Sequence, residues 1–167
     1  MKKYEFTGEV KRIKLIGTEV VLRRIRAVTA FGGVEAGDIG GWIEKEENLS
    51  HDGSAWVHSS AWVYGDARVY GDARVCGNAE VCGDAEVYSA NHIFSIGPVG
   101  SRDGHTTFYR CKNKKIEVRC GCFNGRIEEF IEKVAETHGK NKHASVYRAA
   151  AEIAKLQIFG VTTWDIK

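Results

Sequence analysis

Proline and long apolar runs are what this 167-residue sequence has least of. It contains a single proline, Pro98, beside 19 glycines. A chain rich in glycine but nearly free of proline is neither collagen-like nor a proline- and glycine-rich disordered linker. No apolar run approaches the roughly 18 residues that a membrane helix needs. We therefore expect the glycines to occupy defined positions in a globular protein without a membrane partner.

The sequence also lacks signs of secretion. No apolar stretch of the kind found in signal peptides follows Met1–Glu5. The five cysteines are an odd number, which favours reduced thiols over a disulfide framework. These features predict a cytoplasmic protein.

Charge is unevenly distributed along the chain. The formal net charge is +2, which is too small to indicate a nucleic-acid partner by itself. Residues 1–49 carry +1, residues 50–93 carry −4 and residues 94–167 carry +5. The change near residue 94 indicates a boundary between two modules.

A six-residue repeat lies between Ala55 and Ile93. Valine recurs every six residues from Val57 to Val87, and alanine stands two positions before each of these valines. A period of six fits neither a helix nor an ordinary strand, and fixed short periods indicate a solenoid. We predict that the valines point inward from short strands and that Gly-Asp and Gly-Asn pairs form the corners.

The repeat resembles the hexapeptide repeat of left-handed parallel β-helices, in which three hexads make one coil. This resemblance implies that residues 18 apart are neighbours in successive coils, about 4.8 Å from each other. Arg68 would then lie beside Glu86, and Tyr70 beside Tyr88.

The predicted fold is mainly β with an α+β C-terminal part. An N-terminal β cap would cover one open end of a short left-handed β-helix, because exposed coil ends need protection. Residues 37–50 would be a degenerate first coil, and residues 20–28 a strand of the cap. The predicted parts are the cap (1–36), the β-helix (37–93), the C-terminal module (94–160) and a tail (161–167).

The C-terminal module is predicted to have the order ββαα. A glycine-rich loop would be followed by a hairpin, a turn and two helices, and Asn124 would cap the first helix. The predicted ranges are 94–104 for the loop, 106–111 and 115–120 for the hairpin, 121–125 for the turn, and 127–138 and about 144–157 for the helices.

A wider resemblance covers roughly residues 4–158. It rests on Gly37–Glu44, Glu47–Ser50, the Gly-Asp-Ala repeats, and Gly121–Gly125 with the later Glu128-Glu129-Phe130 and His138-Gly139. With these motifs the chain resembles small bacteriophage and prophage proteins that are described as hexapeptide-repeat or transferase-like. The resemblance implies a viral setting and the cytoplasm of a bacterial host.

The main functional prediction is a non-enzymatic binding protein. Glycine-rich loops present backbone N–H groups, arginine adds a forked donor, and a helix start favours anions. We predict that Arg102, His105, Arg110, Asn124 and Arg126 bind a phosphorylated or nucleotide-like molecule. In a phage setting the role would be counter-defence, by sequestering an immune signal. This prediction includes no cofactor and no catalytic residue.

Acyl transfer is the first alternative, because many proteins with hexapeptide repeats are acyltransferases. The resemblance implies a trimer with a catalytic histidine in a groove between subunits. His51, His58 and His92 are the candidates, of which His58 and His92 are the preferred pair. The repeat is short, and no loop able to cover a pantetheine arm interrupts it, so acyl transfer is not the main prediction.

Inhibition of a host bacterial protein is the second alternative. A flat β-helix face would carry five aromatic anchors, since aromatic residues are enriched at binding hot spots. These anchors are Trp56, Trp62, Tyr64, Tyr70 and Tyr88. Flat solenoid faces also favour self-association, so a homodimer or homotrimer is expected.

Metal and nucleic-acid sites are not predicted. Cys120 and Cys122 with His138 or His143 offer soft ligands, but their spacing is not that of a recognised zinc finger. The basic hairpin around Lys112–Lys115 is short and flanked by acidic residues, which argues against nucleic-acid binding.

Overall fold

The computed structural model describes residues 1–160. They fall into two compact units, residues 1–90 and the residues from 91 onward. The first unit consists of strands with a 3-10 turn at Glu46–Asn48, and the second combines strands with two helices. The described chain is therefore mainly β with two C-terminal helices.

The first unit begins with a long antiparallel hairpin. Strand β1 (Tyr4–Leu15) pairs with β2 (Thr18–Ala27) around a turn at Gly17, whose φ is +80°. The strand predicted over residues 20–28 is confirmed by β2. Strand β1 was not predicted, because most of its residues from Thr7 onward face solvent and include lysine and arginine.

Very short parallel strands follow, and we call residues 55–87 the coil. Strand β3 (Ile39–Ile43) pairs antiparallel with β2 and parallel with β5. The coil contains β4 (Trp56–Val57), β5 (Trp62–Val63), β6 (Arg68–Val69), β7 (Arg74–Val75), β8 (Glu80–Val81) and β9 (Glu86–Val87). The pairs β4–β7, β5–β8 and β6–β9 all have a register of 18 residues, and Arg68 lies opposite Glu86 as predicted.

The interior of the coil is made of valine and alanine. All six repeat valines and all six repeat alanines are buried. Glycines occupy the corners with positive φ, for example Gly65 at +68° and Gly71 at +65°. A Cβ at Gly71 would lie 2.4 Å from the Tyr88 carbonyl oxygen, so this corner has no room for a side chain.

Residues 37–50 stack on the coil with a different spacing. Trp42 lies opposite Trp62 and Leu49 opposite Val69, which are separations of 20 residues instead of 18. Asn48 is completely buried at this point, and its amide donates to the carbonyl oxygens of Gly65 (3.1 Å) and Ala67 (2.8 Å). The Asn48 side chain thus donates hydrogen bonds to carbonyl oxygens, a role that backbone N–H groups have in the regular ladders of the coil.

The second unit has an antiparallel four-stranded sheet and two helices. The strands, in sheet order, are β10 (Ile93–Val99), β11 (Gly104–Arg110), β12 (Ile116–Cys120) and β13 (Phe123–Arg126). Helices α1 (Ile127–His138) and α2 (Lys142–Phe159) follow. Phe108 and Val118 from the sheet form a core with Phe130 and Val134 of α1 and Ala150 of α2.

Three predictions for this unit are wrong. Residues 94–99 of the expected loop belong to β10, and residues 123–125 of the expected turn belong to β13, so the order is ββββαα. Asn124 does not cap α1, because it pairs with Arg119 in the sheet, and Arg126 holds the cap position. The predicted hairpin and the end of α1 at His138 are confirmed.

Helix α2 begins two residues before its predicted start. Asn141 caps it by accepting a hydrogen bond from the Ala144 N–H (3.1 Å). Within residues 1–160, neither helix combines the length and the apolar character needed to cross a membrane. The predicted tail at 161–167 lies outside the described residues.

Candidate functional site

A groove runs along one side of the first unit. Its volume is about 560 Å³. It lies along the ladder in which Leu49 and Ser50 pair with β6 and β6 pairs with β9, since Leu49 bridges Val69 and the Ser50 N–H donates to the Val69 carbonyl (2.9 Å). We call it the coil groove, and its lining residues are Glu46, Glu47, Leu49, Ser50, His51, Arg68, Tyr70 and Glu86.

The coil groove carries more negative than positive groups. Three carboxylates line it beside one guanidinium, and Arg68 faces Glu86 across adjacent strands. An ion pair with Lys2 (2.7 Å) lowers the pKa of Glu46, chiefly through the hydrogen bond between the two groups. Such a surface suits polar or cationic molecules better than anions.

His51 lies at one end of the coil groove and is held firmly. Its ring stacks on Tyr4 with the centroids 4.2 Å apart, and its Nδ1 accepts the Lys3 N–H (3.2 Å). Burial is the main cause that lowers its pKa. An accepting Nδ1 places the proton of the neutral ring on Nε2, which is buried and has no hydrogen-bond partner within residues 1–160. His51 is therefore oriented as a donor, not as a base.

His58 has the properties of a base. It directly follows β4, and its ring is half-buried and makes no hydrogen bond within the described residues. Burial, and secondarily the charge of Arg74, lowers the pKa of His58. The ring is therefore neutral near pH 7, with one nitrogen able to accept a proton.

Cys76 follows β7 at the position that corresponds to His58 after β4, and the His58 backbone N–H donates to the Val75 carbonyl (2.8 Å). Burial raises the pKa of the Cys76 thiol, while the charge of Arg74 opposes that shift. The thiol is consequently protonated near pH 7, and His58–Cys76 is not an activated nucleophile pair. Arg74 itself donates to the Gly32 carbonyl, which holds the guanidinium on this side of the coil.

The remaining predicted histidine, His92, belongs to the second unit, where it ends the 3-10 turn Ala90–His92.

Two of the five residues predicted to bind an anion share a cavity. Arg102 and His105 both line a space of about 260 Å³ in the second unit. Arg110 ends β11 opposite Ile116, and the Asn124 side chain accepts the Tyr109 hydroxyl (3.3 Å).

Arg126, the fifth of these residues, donates its N–H to Glu129 (2.8 Å) at the start of α1. Arg110, Asn124 and Arg126 do not line the cavity that Arg102 and His105 share.

The five predicted aromatic anchors do not form one exposed face. Trp56 is only 2% exposed and Tyr64 only 4%. The Trp56 ring packs against Tyr4 and Phe31, which come from the N-terminal region, and the Tyr64 hydroxyl donates to Glu80 (2.5 Å). The prediction that these two residues are surface anchors is wrong, because both side chains are buried.

Sequence reasoning did not find the coil groove. Its walls come from the irregular segment 46–51 and from repeat positions that look like ordinary solvent-facing residues. The one available signal is the 18-residue separation of Arg68 and Glu86, which predicts that these two groove residues are neighbours.

The described residues define a mainly β protein whose first unit contains a parallel coil of 18-residue register. No family model matches the chain. Over 62 residues it is 37% identical to a protein of Escherichia coli (strain K12) named as the uncharacterized acetyltransferase YdcK. That match covers 35% of this chain and 19% of YdcK, so the similarity extends over about a fifth of that protein.

Proposed function

We propose that the chain is an acyltransferase of the hexapeptide-repeat class, with residues 37–93 forming a left-handed parallel β-helix. The observation that carries this proposal is the local similarity to a protein named as an acetyltransferase. The three parallel ladders of 18-residue register and their buried valines support it. Acyl transfer, the first alternative from the sequence, is thereby preferred to non-enzymatic binding.

His58 acts as the general base in this proposal. Its free ring nitrogen takes a proton from an amine or hydroxyl acceptor while that acceptor attacks the carbonyl carbon of an acyl thioester. The tetrahedral intermediate then expels the thiolate, which receives the proton from His58 and leaves as a thiol. A base whose pKa lies below 6.5 is already deprotonated at pH 7, so the rate should fall only on the acid side.

Arg74 has a supporting role in the proposal. Its positive charge acts on His58 strongly enough to contribute to the lowered pKa. The same charge would attract a phosphate-bearing acyl donor such as acetyl-CoA. The expected homodimer or homotrimer stays a prediction, and native mass spectrometry of the purified protein measures it directly.

The test is turnover of acetyl-CoA with a panel of amine and alcohol acceptors. Free CoA is measured by chromatography, because five free cysteines would consume a thiol reagent. Removing a general base costs about 10²- to 10⁴-fold in rate, so His58→Ala should lose at least that much. His51→Ala is the matched control and should keep the turnover of the folded enzyme. Equal turnover of His58→Ala and wild type, or no turnover with any acceptor, would overturn the proposal.

Sequestration of a phosphorylated immune signal and binding to a host protein both stay predictions, as does the phage setting. Titration calorimetry with a nucleotide panel distinguishes the first from acyl transfer. Heat of binding in wild type that is absent in Arg102→Ala, together with no acyl transfer, would favour the non-enzymatic reading.

A further inference from the structure

Two adjoining cavities in the second unit form what we call the helix cleft. Their volumes are about 350 Å³ and about 260 Å³. Both are lined by Cys120 at the end of β12, by Cys122 of the β12–β13 turn, by Thr137 and His138 at the end of α1, and by Tyr147 of α2. Five residues line both spaces, so the two cavities adjoin and make up the two ends of one candidate site.

The two ends of the helix cleft differ in chemistry. The larger end is walled by Phe123, Phe130 and Val134, which are apolar and packed against the core. The smaller end adds Val99 and three polar side chains to the shared lining: Ser101 and Arg102, which are exposed, and the partly buried His105. Small-molecule sites typically combine an apolar wall with a few polar groups that fix orientation.

The charge of the helix cleft has one sign. Among the described residues that line it, none is aspartate or glutamate, although the sequence has 22 of these residues. Arg102 at one end and Lys133 at the other provide positive charge. Lys133 also pairs with Glu136 (3.1 Å), but both side chains are exposed, and such surface pairs are weak.

The floor of the helix cleft is packed and hydrogen-bonded. The buried Thr106 hydroxyl donates to the Cys120 sulfur (3.1 Å), and the Tyr147 oxygen lies 3.8 Å from the same sulfur. Burial raises the pKa of Tyr147 to about 12, so its hydroxyl stays neutral. A Cβ at Gly100 would lie 1.9 Å from that hydroxyl, so a glycine is needed here for Tyr147 to reach its position.

We propose that the helix cleft binds a small monocarboxylate with an apolar body. The carboxylate meets the Arg102 guanidinium, which suits it as a forked donor. The apolar body lies against Phe123, Phe130 and Val134. This proposal does not depend on acyl transfer by the first unit, and it differs from the phosphorylated ligand predicted from the sequence, because the larger end offers mainly apolar contact.

Two exposed cysteines provide an internal assay. Cys122 lines the helix cleft, whereas Cys76 is an exposed thiol of the coil. The full chain is alkylated with iodoacetamide in the presence of octanoate, and each cysteine is followed by peptide mass spectrometry. Octanoate should slow alkylation of Cys122 at least threefold and leave Cys76 unchanged.

Variants and ligand analogues separate the parts of the proposal. Arg102→Ala should raise the octanoate concentration that gives half-maximal protection of Cys122 at least fivefold, and Phe123→Ala should remove the preference for octanoate over acetate. Arg126→Ala, an arginine of the same unit outside the helix cleft, should change protection less than twofold. Circular dichroism checks that each variant is folded.

Three results would overturn the proposal. Equal protection by octanamide would show that the negative charge is not recognised. Protection by inorganic phosphate or AMP without protection by octanoate would assign the cleft to a phosphorylated ligand. Absence of protection by any of these molecules would show that the cleft does not bind small anions.

Discussion

Replacement of Asn48 tests how the irregular segment 37–50 is fixed to the coil. The Asn48 amide donates to the carbonyl oxygens of Gly65 and Ala67, and its Oδ1 accepts the Lys45 N–H (2.9 Å). Asn48→Ala removes all three hydrogen bonds and leaves three backbone groups without these partners. Asn48→Asp keeps the size of the side chain but places an oxygen where two carbonyls need a donor.

The expected loss of stability follows from the burial of these partners. A buried polar group left without its hydrogen bond costs about 1–3 kcal/mol. Ala67 is fully buried and loses its partner outright, whereas Lys45 and Gly65 are partly exposed, so water replaces part of what they lose. We expect Asn48→Ala to lower the free energy of unfolding by about 3 kcal/mol, and Asn48→Asp by at least as much.

Urea unfolding followed by tryptophan fluorescence measures this loss in the first unit, which contains three of the four tryptophans. With a slope of about 1–3 kcal/mol per molar urea, the midpoint should fall by about 1–3 M without a change in slope. Ser60→Ala, at an exposed corner of the coil, is the control and should stay within about 0.5 kcal/mol of wild type. Unchanged midpoints for both Asn48 variants would refute the reasoning.

Two further predictions concern the N-terminal residues that lie against the coil. The buried Tyr4 hydroxyl donates to the Leu49 carbonyl (2.8 Å), so Tyr4→Phe should lower the free energy of unfolding by about 1 kcal/mol in the same urea assay; an unchanged value would show that this bond contributes nothing. The Lys3 ammonium donates to the Ala55 carbonyl (2.8 Å), and burial lowers its pKa from 10.5 to about 8. Between these two pH values the unfolded chain binds more protons, so stability should rise with pH by about 1–2 kcal/mol in wild type and not in Lys3→Met. Parallel pH profiles of the two proteins would contradict this account.

The coil was predictable because one period fixes both packing and register. Valine and alanine recur every six residues. Because all of these side chains are buried, the register of the strands, and with it the identity of neighbouring residues, is fixed. Strands β10 and β13 have no comparable pattern, since each includes glycine and has exposed positions. Pairing with β12 overrode the local preference of Asn124 for a helix cap.

The helix cleft was only partly predictable for a different reason. Arg102 and His105 stand in a glycine-rich segment that signals ligand contact, and they do line the cleft. Its apolar wall comes from β13 and α1, and Tyr147 comes from α2. No local sequence pattern tells which residues of such separate elements meet, because that depends on how the helices pack on the sheet.

The pairing of β3 on both of its sides limits how molecules of this chain can associate. One edge of β3 pairs in parallel with β5, and its other edge pairs antiparallel with β2. A second molecule therefore cannot extend this ladder by stacking its own coil there, and β1, the strand beyond β2, carries lysine and arginine that discourage strand pairing. The hairpin thus protects the chain against fibre growth at that end of the ladder.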